Sequence, residues 1–495
     1  MNSAQNQPKA APLEVLIVGA GFAGICAGIK LRERGIHNFK ILEKADGIGG
    51  TWWHNTYPGA ACDIQSHLYC YSFEPNPNWS RKYSQQAEIQ AYIEHCVDKY
   101  ALREHIQLNT AVEEFHWHAE HQSWRAHLAS GAVEQARHVI FASGGLHLPA
   151  FPNIPGMAAF SGPTMHSAEW DHQVDFTGKS VAVIGSAASA IQLIPELAKV
   201  AGRLDVYQRT PNYVAPRNDR EYSVEEKQRF ARWPWLNRLY RKFIFLRGEW
   251  ILFPIVRDKR PSRWRDRAQH MVKTHIRASV TNVAMRKAMI PEFPLGCKRI
   301  LVADNFYSAM NRPNVHLQVE GIASIDNEGV TTRDGVAHPA DIIVYATGFD
   351  LEKYMRQTEV TGSSGTKLSD VWAELPSAYK GGFVSGFPNF YLTTGPNTGV
   401  GTTSVVYMIE AQLKLILQAI EKTGSGGFIQ VKPEAQQRYN DDIQSALQNT
   451  VWAGNCSSWY KREDGLISTL YPYNARAYLK DHKVLVEEDF ELTVA

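Results

Sequence analysis

The sequence predicts an α/β fold with two dinucleotide-binding, Rossmann-like domains and a helical insertion. Two observations carry this prediction. The same order of patterns occurs twice in the chain: an apolar run, a glycine-rich turn, a helical pattern and a second apolar run. Residues 218–299 instead combine arginine and tryptophan with helical periodicity and show no strand alternation. The 495 residues are enough for about three domains.

The first unit begins with LEVLIV, whose continuous apolar character is typical of a strand buried on both faces of a parallel sheet. Gly19, Gly21 and Gly24 follow in G-x-G-x-x-G spacing, and Glu43 stands 19 residues after the third glycine, at the tip of the next strand. A carboxylate at that tip accepts hydrogen bonds from ribose hydroxyls. The unit therefore predicts an FAD or NAD site.

The second unit runs from SVAVI through the turn Gly185-Ser186-Ala187-Ala188-Ser189-Ala190 to Arg209, and we expect Gly185, Ser186 and Ser189 to contact the nucleotide. Arg209 lies 24 residues after Gly185, as Glu43 lies 24 residues after Gly19. A guanidinium suits the 2′-phosphate of NADP(H). The two units therefore predict FAD at the first site and NADP(H) at the second. Ala187 and Ala190 replace two of the glycines; alanine is tolerated at the third position, but Ala187 predicts looser binding at the second site.

Two further apolar strands, HVIFASGG and DIIVYATGFD, end in small residues and close a nucleotide-binding layer in each domain. The expected division of the chain is a disordered leader at 1–12, an FAD-binding domain at 13–150 and 385–495, an NADP-binding domain at 151–217 and 300–384, and the helical insertion at 218–299.

Composition and charge limit the kinds of binding partner that we expect. A formal net charge of +2 gives no field for nucleic acid, so none is expected. The six cysteines show no C-x-x-C spacing, which predicts free thiols, no metal site and a cytoplasmic protein. The apolar run from Phe243 to Val256 is too short and too interrupted to span a membrane. The arginine and tryptophan cluster from Arg229 to Arg267 fits a membrane surface, but the simpler expectation is a wall of the substrate entrance without peripheral membrane contact.

Two nucleotide sites on one chain favour electron transfer from NADPH to flavin. In flavin disulfide reductases, which have a similar layout, a redox-active cysteine pair follows the second strand. Here that segment is Gly49-Gly50-Thr51-Trp52-Trp53, with no dithiol nearby. Disulfide reduction is therefore excluded.

The run GGTWWHNTYPGAACD resembles the G-G-x-W-x(4)-[FY]-P-G-x(3)-D signature of the Baeyer–Villiger monooxygenases, and FSGPTMHSAEWD resembles that family's second fingerprint. The resemblance implies that O2 adds to reduced flavin and that the resulting C4a-peroxyflavin attacks a ketone, which becomes an ester or lactone. It also implies that Gly50, Thr51 and Trp52 lie beside the flavin. An N- or S-oxygenating flavin monooxygenase and an NADPH-flavin reductase remain the alternatives.

Within FPLGCKRILVADNFY, Arg299 matches the family's essential arginine, which would stabilise the anionic oxygen adduct, and Asp63 matches the acid that pairs with it. Asp63 could instead cap a helix or turn. Lys298 and Arg209, with Thr210, are candidates for the 2′-phosphate. Three further cofactor contacts are expected: Pro396 and Asn397, at a helix N-terminus facing the flavin, and Trp459, near the nicotinamide nucleotide. The choice among linear, cyclic, aromatic and steroid ketones stays open.

Overall fold

The structure is a computed structural model that describes residues 12–494, apart from 261, 351–357, 425, 455, 457, 459 and 463. The leader expected at 1–12 therefore lies outside the described residues except for Pro12. The carbonyl of Pro12 accepts a hydrogen bond from the Asn38 side chain at 3.1 Å.

The strands of the described chain are β1 (Leu13–Val18), β2 (Phe39–Leu42), β3 (Ile106–Gln107), β4 (Val112–His118), β5 (Ser123–Leu128), β6 (Val133–Phe141), β7 (Thr164–His166), β8 (Ser180–Ile184), β9 (Arg203–Tyr207), β10 (Val214–Ala215), β11 (Leu301–Val302), β12 (Val315–Gln318), β13 (Ile322–Ile325), β14 (Gly329–Thr332), β15 (Ala337–Pro339), β16 (Ile342–Tyr345), β17 (Glu359–Thr361), β18 (Phe390–Leu392), β19 (Phe428–Val431) and β20 (Phe490–Thr493).

The α-helices of the same residues are α1 (Phe22–Glu33), α2 (Thr51–His54), α3 (Gln86–Lys99), α4 (Ala190–Val200), α5 (Val224–Arg232), α6 (Pro234–Arg247), α7 (Phe253–Val256), α8 (Arg263–Ser279), α9 (Val283–Ala288), α10 (Phe306–Met310), α11 (Leu368–Val371), α12 (Val405–Thr423), α13 (Pro433–Leu447) and α14 (Ala475–Asp481). A π-helical segment, Gly248–Leu252, joins α6 to α7.

The first large sheet has the strand order β17-β4-β5-β6-β1-β2-β3, and β18 also pairs with β6. Strand β1 is parallel to both β2 and β6, and Val15, Leu16 and Ile17 at its centre are fully buried. Its apolar run thus lies in the middle of a parallel layer. Because β2 and β6 flank β1 on opposite sides, the glycine turn after β1 sits where the strand order reverses, which is the usual place for a nucleotide in such sheets.

The second sheet is parallel throughout, in the order β12-β9-β8-β16-β7. Strand β8, the counterpart of β1, is flanked by β9 and β16, so its glycine turn also lies at a reversal of strand order. The expected α/β class with two Rossmann-like units is confirmed.

Residues 218–299, where described, form α5 to α9 and the π segment and contain no strand. One pairing departs from the expected division of the chain. Strand β17 lies within 300–384 but pairs with β4 of the first sheet, in parallel register from Glu359 to Glu114. We therefore propose that the chain returns to the first domain before residue 359.

The cysteines correct one expectation. Cys297 and Cys456 form a disulfide across 159 residues of sequence, with 6.3 Å between their Cα atoms, whereas Cys26, Cys62, Cys70 and Cys96 are free and buried. Free thiols throughout were expected because scattered cysteines do not reveal their spatial neighbours. Among the described residues, no helix combines the length and apolar character needed to cross a bilayer.

Candidate active site

The first glycine turn is held by close backbone contacts. Gly19 has a φ of +99°, and a Cβ on it would lie 2.6 Å from the Ala142 carbonyl oxygen. A Cβ on Gly24 would lie 1.8 Å from the Gly19 carbonyl oxygen, so Gly24 lets α1 pack against the turn. Gly21 is different, because the nearest atom to an added Cβ would be Gly50 Cα at 3.5 Å, an ordinary van der Waals distance. Gly21 therefore keeps the backbone accessible on the side that a pyrophosphate would approach.

A cavity of about 760 Å³ opens beside this turn. Its lining comes from distant parts of the sequence: Gly19, Gly21, Glu43, Gly50, Thr51 and Trp52 from the N-terminal part, and Thr394, Gly395, Pro396, Thr398, Gly399 and residues 468–470 from the C-terminal part. The first residues after β6, from Ala142 to His147, also line it. Its volume falls within the range of cofactor sites, roughly 300–1,000 Å³.

Glu43 is buried at the rim of the cavity. Its Oε2 accepts a hydrogen bond from the Ala20 backbone N–H at 2.7 Å, and its Oε1 accepts one from the Ala45 N–H at 2.9 Å. These two bonds fix the carboxylate at the tip of β2. Each oxygen retains a further lone pair with which it can accept a hydrogen bond from a ribose hydroxyl.

The tryptophan motif forms one helical turn, α2, on the same wall. Gly50 precedes it with a φ of +57°, a conformation that favours glycine. The Trp52 indole donates a hydrogen bond to the Tyr69 hydroxyl at 3.1 Å, and the Trp52 carbonyl accepts one from the Gln86 side chain. Burial raises the pKa of Tyr69 far above its ordinary value, so Tyr69 remains a neutral member of the wall. These two bonds hold Trp52 in the cavity wall.

Arg299 and Asp63 form an ion pair across 236 residues of sequence. The Arg299 Nε and Nη2 atoms lie 2.8 and 2.6 Å from the same Asp63 oxygen, Oδ2. The charge of Asp63 raises the pKa of Arg299 further above its already high value. The Arg299 side chain as a whole is 37% exposed, and its guanidinium is held in place by Asp63. This pairing favours the supporting role of Asp63 over a capping role.

Tyr460 links this ion pair to the cavity. Its ring is buried, it lines the cavity wall, and its hydroxyl is hydrogen bonded to Arg299. Burial raises the pKa of Tyr460, and the Arg299 charge opposes that rise. Arg299 and Asp63 themselves are not among the residues that line the cavity. The disulfide joins the residue two before Arg299 to the residue four before Tyr460, and so ties both segments together.

The second nucleotide site gathers the three side chains expected at the 2′-phosphate. The Lys298 Nζ donates to the Thr210 hydroxyl at 2.9 Å. Burial lowers the pKa of Lys298, and the nearby Arg209 charge lowers it further. Arg209 and Thr210 are exposed at the carboxyl end of β9. A basic, hydroxyl-containing surface of this kind suits a phosphate monoester.

The second turn is built differently from the first. Gly185 has a φ of +121°, and a Cβ on it would lie 2.3 Å from the Ala346 carbonyl oxygen. The Ser186 carbonyl accepts a hydrogen bond from the Asn212 side chain, and Ser189 precedes α4 without a side-chain cap bond. None of these residues lines the 760 Å³ cavity, so the two sites are separate.

The expected position of Asn397 at a helix N-terminus is wrong. Helix α12 begins only at Val405, because the chain first makes further turns, and Val405 itself lines the cavity. Asn397 is buried, and its side-chain amide donates to the carbonyls of Ile467 and Leu470 at 2.8 and 2.9 Å. It fixes a wall segment from behind, whereas Pro396 lines the cavity as expected.

Trp459 lies outside the described residues. Tyr69 and Tyr460 were missed because no local motif marks them; Tyr460 in addition has its partner, Arg299, 161 residues away in sequence. His166, from the second fingerprint, ends β7 at the edge of the second sheet. Burial lowers its pKa to about 4, which keeps it neutral and agrees with a packing role.

The residues fit an FAD molecule at the first site. The open face of Gly21 and the N-terminus of the twelve-residue α1 suit a pyrophosphate, and the Glu43 carboxylate suits a ribose. The N-terminal residue of α12 adds a positive dipole end to the cavity wall. Fold and site together define a flavoprotein oxidoreductase of the class with two dinucleotide-binding units.

Comparisons with known proteins refine this class. Residues 16–232 match the family model described as pyridine nucleotide-disulphide oxidoreductase. A Baeyer–Villiger monooxygenase of Pseudomonas aeruginosa is 39% identical over 477 residues, covering 95% of this chain and 90% of the relative. One of Streptomyces coelicolor is 37% identical, covering 93% and 89%. The chain belongs to the Baeyer–Villiger monooxygenase family, which confirms the resemblance.

Two solved structures have the same fold as this protein over nearly the whole chain. A steroid monooxygenase bound to NADP is 30% identical with a TM-score of 0.87, and OTEMO in complex with FAD and NADP is 26% identical with a TM-score of 0.89. Each match covers 98% of this chain and 100% of the other.

Proposed function

We propose that this protein is an FAD-containing, NADPH-dependent monooxygenase that uses O2 to convert ketones into esters or lactones. The observation that carries the proposal is the Arg299–Asp63 ion pair, joined through Tyr460 to the wall of a cavity that fits FAD. The expected cofactors, FAD and NADP(H), are also those with which the structural relative OTEMO was solved.

FAD, when bound and reduced by NADPH, supplies the activation of O2. The part of this chain is to provide a fixed positive charge, because the reacting oxygen carries negative charge before and after it attacks a carbonyl carbon. Arg299 supplies that charge at every working pH, since Asp63 raises its pKa still further. A preorganised donor of this kind contributes about 3–4 kcal/mol to stabilising the transition state.

Asp63 and Tyr460 hold the guanidinium from two sides. Asp63 accepts two N–H bonds on one oxygen, which fixes the plane of the guanidinium. Tyr460 hydrogen bonds to it from the cavity wall. The pairing also avoids the cost of an unpaired, partly buried charge.

The second site sets the nucleotide preference. Arg209 and the hydrogen-bonded pair of Lys298 and Thr210 present two positive charges and a hydroxyl where a 2′-phosphate would lie. NADH lacks that phosphate. We infer that the preference for NADPH comes from these three residues, and that Lys298, next to Arg299 in sequence, connects nucleotide binding to the oxygenation site.

The test is product identification with NADPH, O2 and an equimolar mixture of a ketone and a thioether. We expect the ester or lactone to be the main product, with NADPH consumption and product formation in nearly equal amounts. A sulfoxide as the main product would favour heteroatom oxygenation. NADPH consumption with hydrogen peroxide and no oxygenated product would favour a reductase.

A further inference from the structure

The helical run from α6 through the π segment carries an exposed apolar stripe. Trp235, Leu239, Phe243 and Trp250 are 62%, 54%, 60% and 66% exposed. They are spaced by four, four and seven residues, which places them on one face of a helix. Ile251 and Leu252, which follow Trp250 in the chain, are exposed as well. Contiguous exposed apolar surface of this kind marks an interaction site.

The face of the same run that packs against the protein is rich in polar groups. Buried Arg241 donates to the carbonyls of His67 and Leu68, and buried Glu249 accepts the backbone N–H groups of Ala475 and Arg476. The usual pattern of a surface helix, apolar inside and polar outside, is thus partly inverted. The outward stripe is therefore not accounted for by packing within this chain.

The stripe lies in a strongly basic segment. Residues 227–273 contain 14 lysines and arginines and 3 acidic residues, whereas the rest of the chain contains 38 and 47. Glu249, Arg241 and Arg265 are buried, which leaves 12 cationic and 2 acidic side chains at least partly exposed. Arg238 and Lys242 are exposed, each three residues after a member of the stripe. The chain as a whole is thus nearly neutral, but residues 227–273 carry a formal charge of +11.

We propose that this face binds an anionic lipid surface. Tryptophan, leucine and phenylalanine flanked by lysine and arginine are the composition of helices that lie in the interface of a bilayer. The aromatic and aliphatic side chains would enter the boundary of the acyl chains, and the basic side chains would contact the lipid phosphates. None of the described helices can span a bilayer, so the contact would be peripheral.

Other occupants fit less well. In a symmetric pair the +11 region would face its own copy, so that like charges repel across the interface. A single-stranded nucleic acid would use the aromatic rings for base stacking but leave Leu239, Ile251 and Leu252 exposed. A bilayer satisfies both halves of the pattern, the aliphatic and the basic.

A groove of about 520 Å³ beside the stripe supports the lipid assignment. Its lining includes Phe245, Trp250 and Leu479, together with the cationic side chains of Lys242 and Arg476. An apolar groove with two cations suits an amphiphile with an anionic headgroup. This proposal replaces the expectation of no peripheral membrane contact, because sequence alone did not show that the stripe faces outward.

The experiment is flotation of the flavin-loaded protein with phosphatidylcholine vesicles, with and without phosphatidylglycerol. We expect binding only to vesicles that contain phosphatidylglycerol, and weaker binding at high salt. The triple variant Trp235→Ser, Phe243→Ser, Trp250→Ser should lose at least about tenfold in partitioning. The double variant Arg238→Glu, Lys242→Glu should lose at least about 25-fold, since each of the two cations contributes roughly fivefold.

The matched control is Val133→Ser with Val319→Ser, two exposed apolar residues outside the basic segment, which should bind vesicles like the unchanged protein. Flavin content and the rate of NADPH oxidation in solution should be the same in all variants, which verifies folding. Equal binding to both vesicle types, no binding, or retained binding by the triple variant would overturn the proposal. So would a dimer that the triple variant converts to a monomer, or binding to a single-stranded oligonucleotide in place of vesicles.

Discussion

The two glycine turns begin alike and then diverge. In each, the first glycine has a positive φ and a Cβ there would strike the carbonyl of the residue that follows the neighbouring strand, Ala142 for Gly19 and Ala346 for Gly185. After that, α1 starts three residues beyond Gly19, whereas α4 starts five residues beyond Gly185. The first glycine is thus required because the neighbouring strand of the sheet lies so close to it. The need for the later glycines depends on where the helix starts.

This difference explains why alanine is accepted at the third position of the second turn. A Cβ on Gly24 would overlap the Gly19 carbonyl, whereas Ala190 is the first residue of a helix that begins later. The first turn also lines the 760 Å³ cavity, and the second lies outside it. The comparison suggests a tightly held flavin at the first turn and an exchanging nucleotide at the second.

The largest expected effect comes from Gly24→Ala. The added methyl carbon would lie 1.8 Å from a backbone oxygen, so α1 must move away from the turn. We expect the purified protein to lack its yellow colour, measured as flavin absorbance per protein. Ala190→Gly is the matched change in the second turn and should leave flavin content unaltered. If Gly24→Ala retained full flavin, the packing explanation of the first turn would be wrong.

Arg209→Ala should have an intermediate effect, confined to the second turn. Removing a charge-assisted contact to a phosphate costs about 1.5–3 kcal/mol, which corresponds to a rise of roughly 10- to 100-fold in KM for NADPH. The KM for NADH should change little, because NADH has no 2′-phosphate. Steady-state kinetics with both nucleotides measure this. An equal rise for both would show that Arg209 acts on something other than the phosphate.

Ala187→Gly should have the smallest effect. Ala187 is exposed in the second turn, at the position where Gly21 leaves the backbone accessible in the first. Closer approach of the nucleotide should lower KM for NADPH by about threefold. The same kinetic assay detects it, with flavin content as the internal control. A higher KM would indicate that the longer second turn already holds its nucleotide at a distance.

The features that the sequence predicted well are those that depend on residues close together in the chain. The glycine turns and Glu43 follow from a local strand–turn–helix pattern, and the structure places Gly19, Gly21 and Glu43 around one cavity. The pairing of Arg299 with Asp63 spans 236 residues and was reached only through family resemblance. The Tyr460 contact and the disulfide were missed because only the folded chain brings those residues together. Asn397 was misplaced because several turns precede the helix after it.

The central claim is that Arg299, held by Asp63 and Tyr460, serves oxygenation and not flavin reduction. The most direct measurement follows NADPH oxidation and ester formation together in Arg299→Ala, with the exposed Arg312→Ala as the control. We predict that flavin is still reduced by NADPH while ester formation falls by about 100- to 1,000-fold. Ester formation at the unchanged rate in Arg299→Ala would contradict the account.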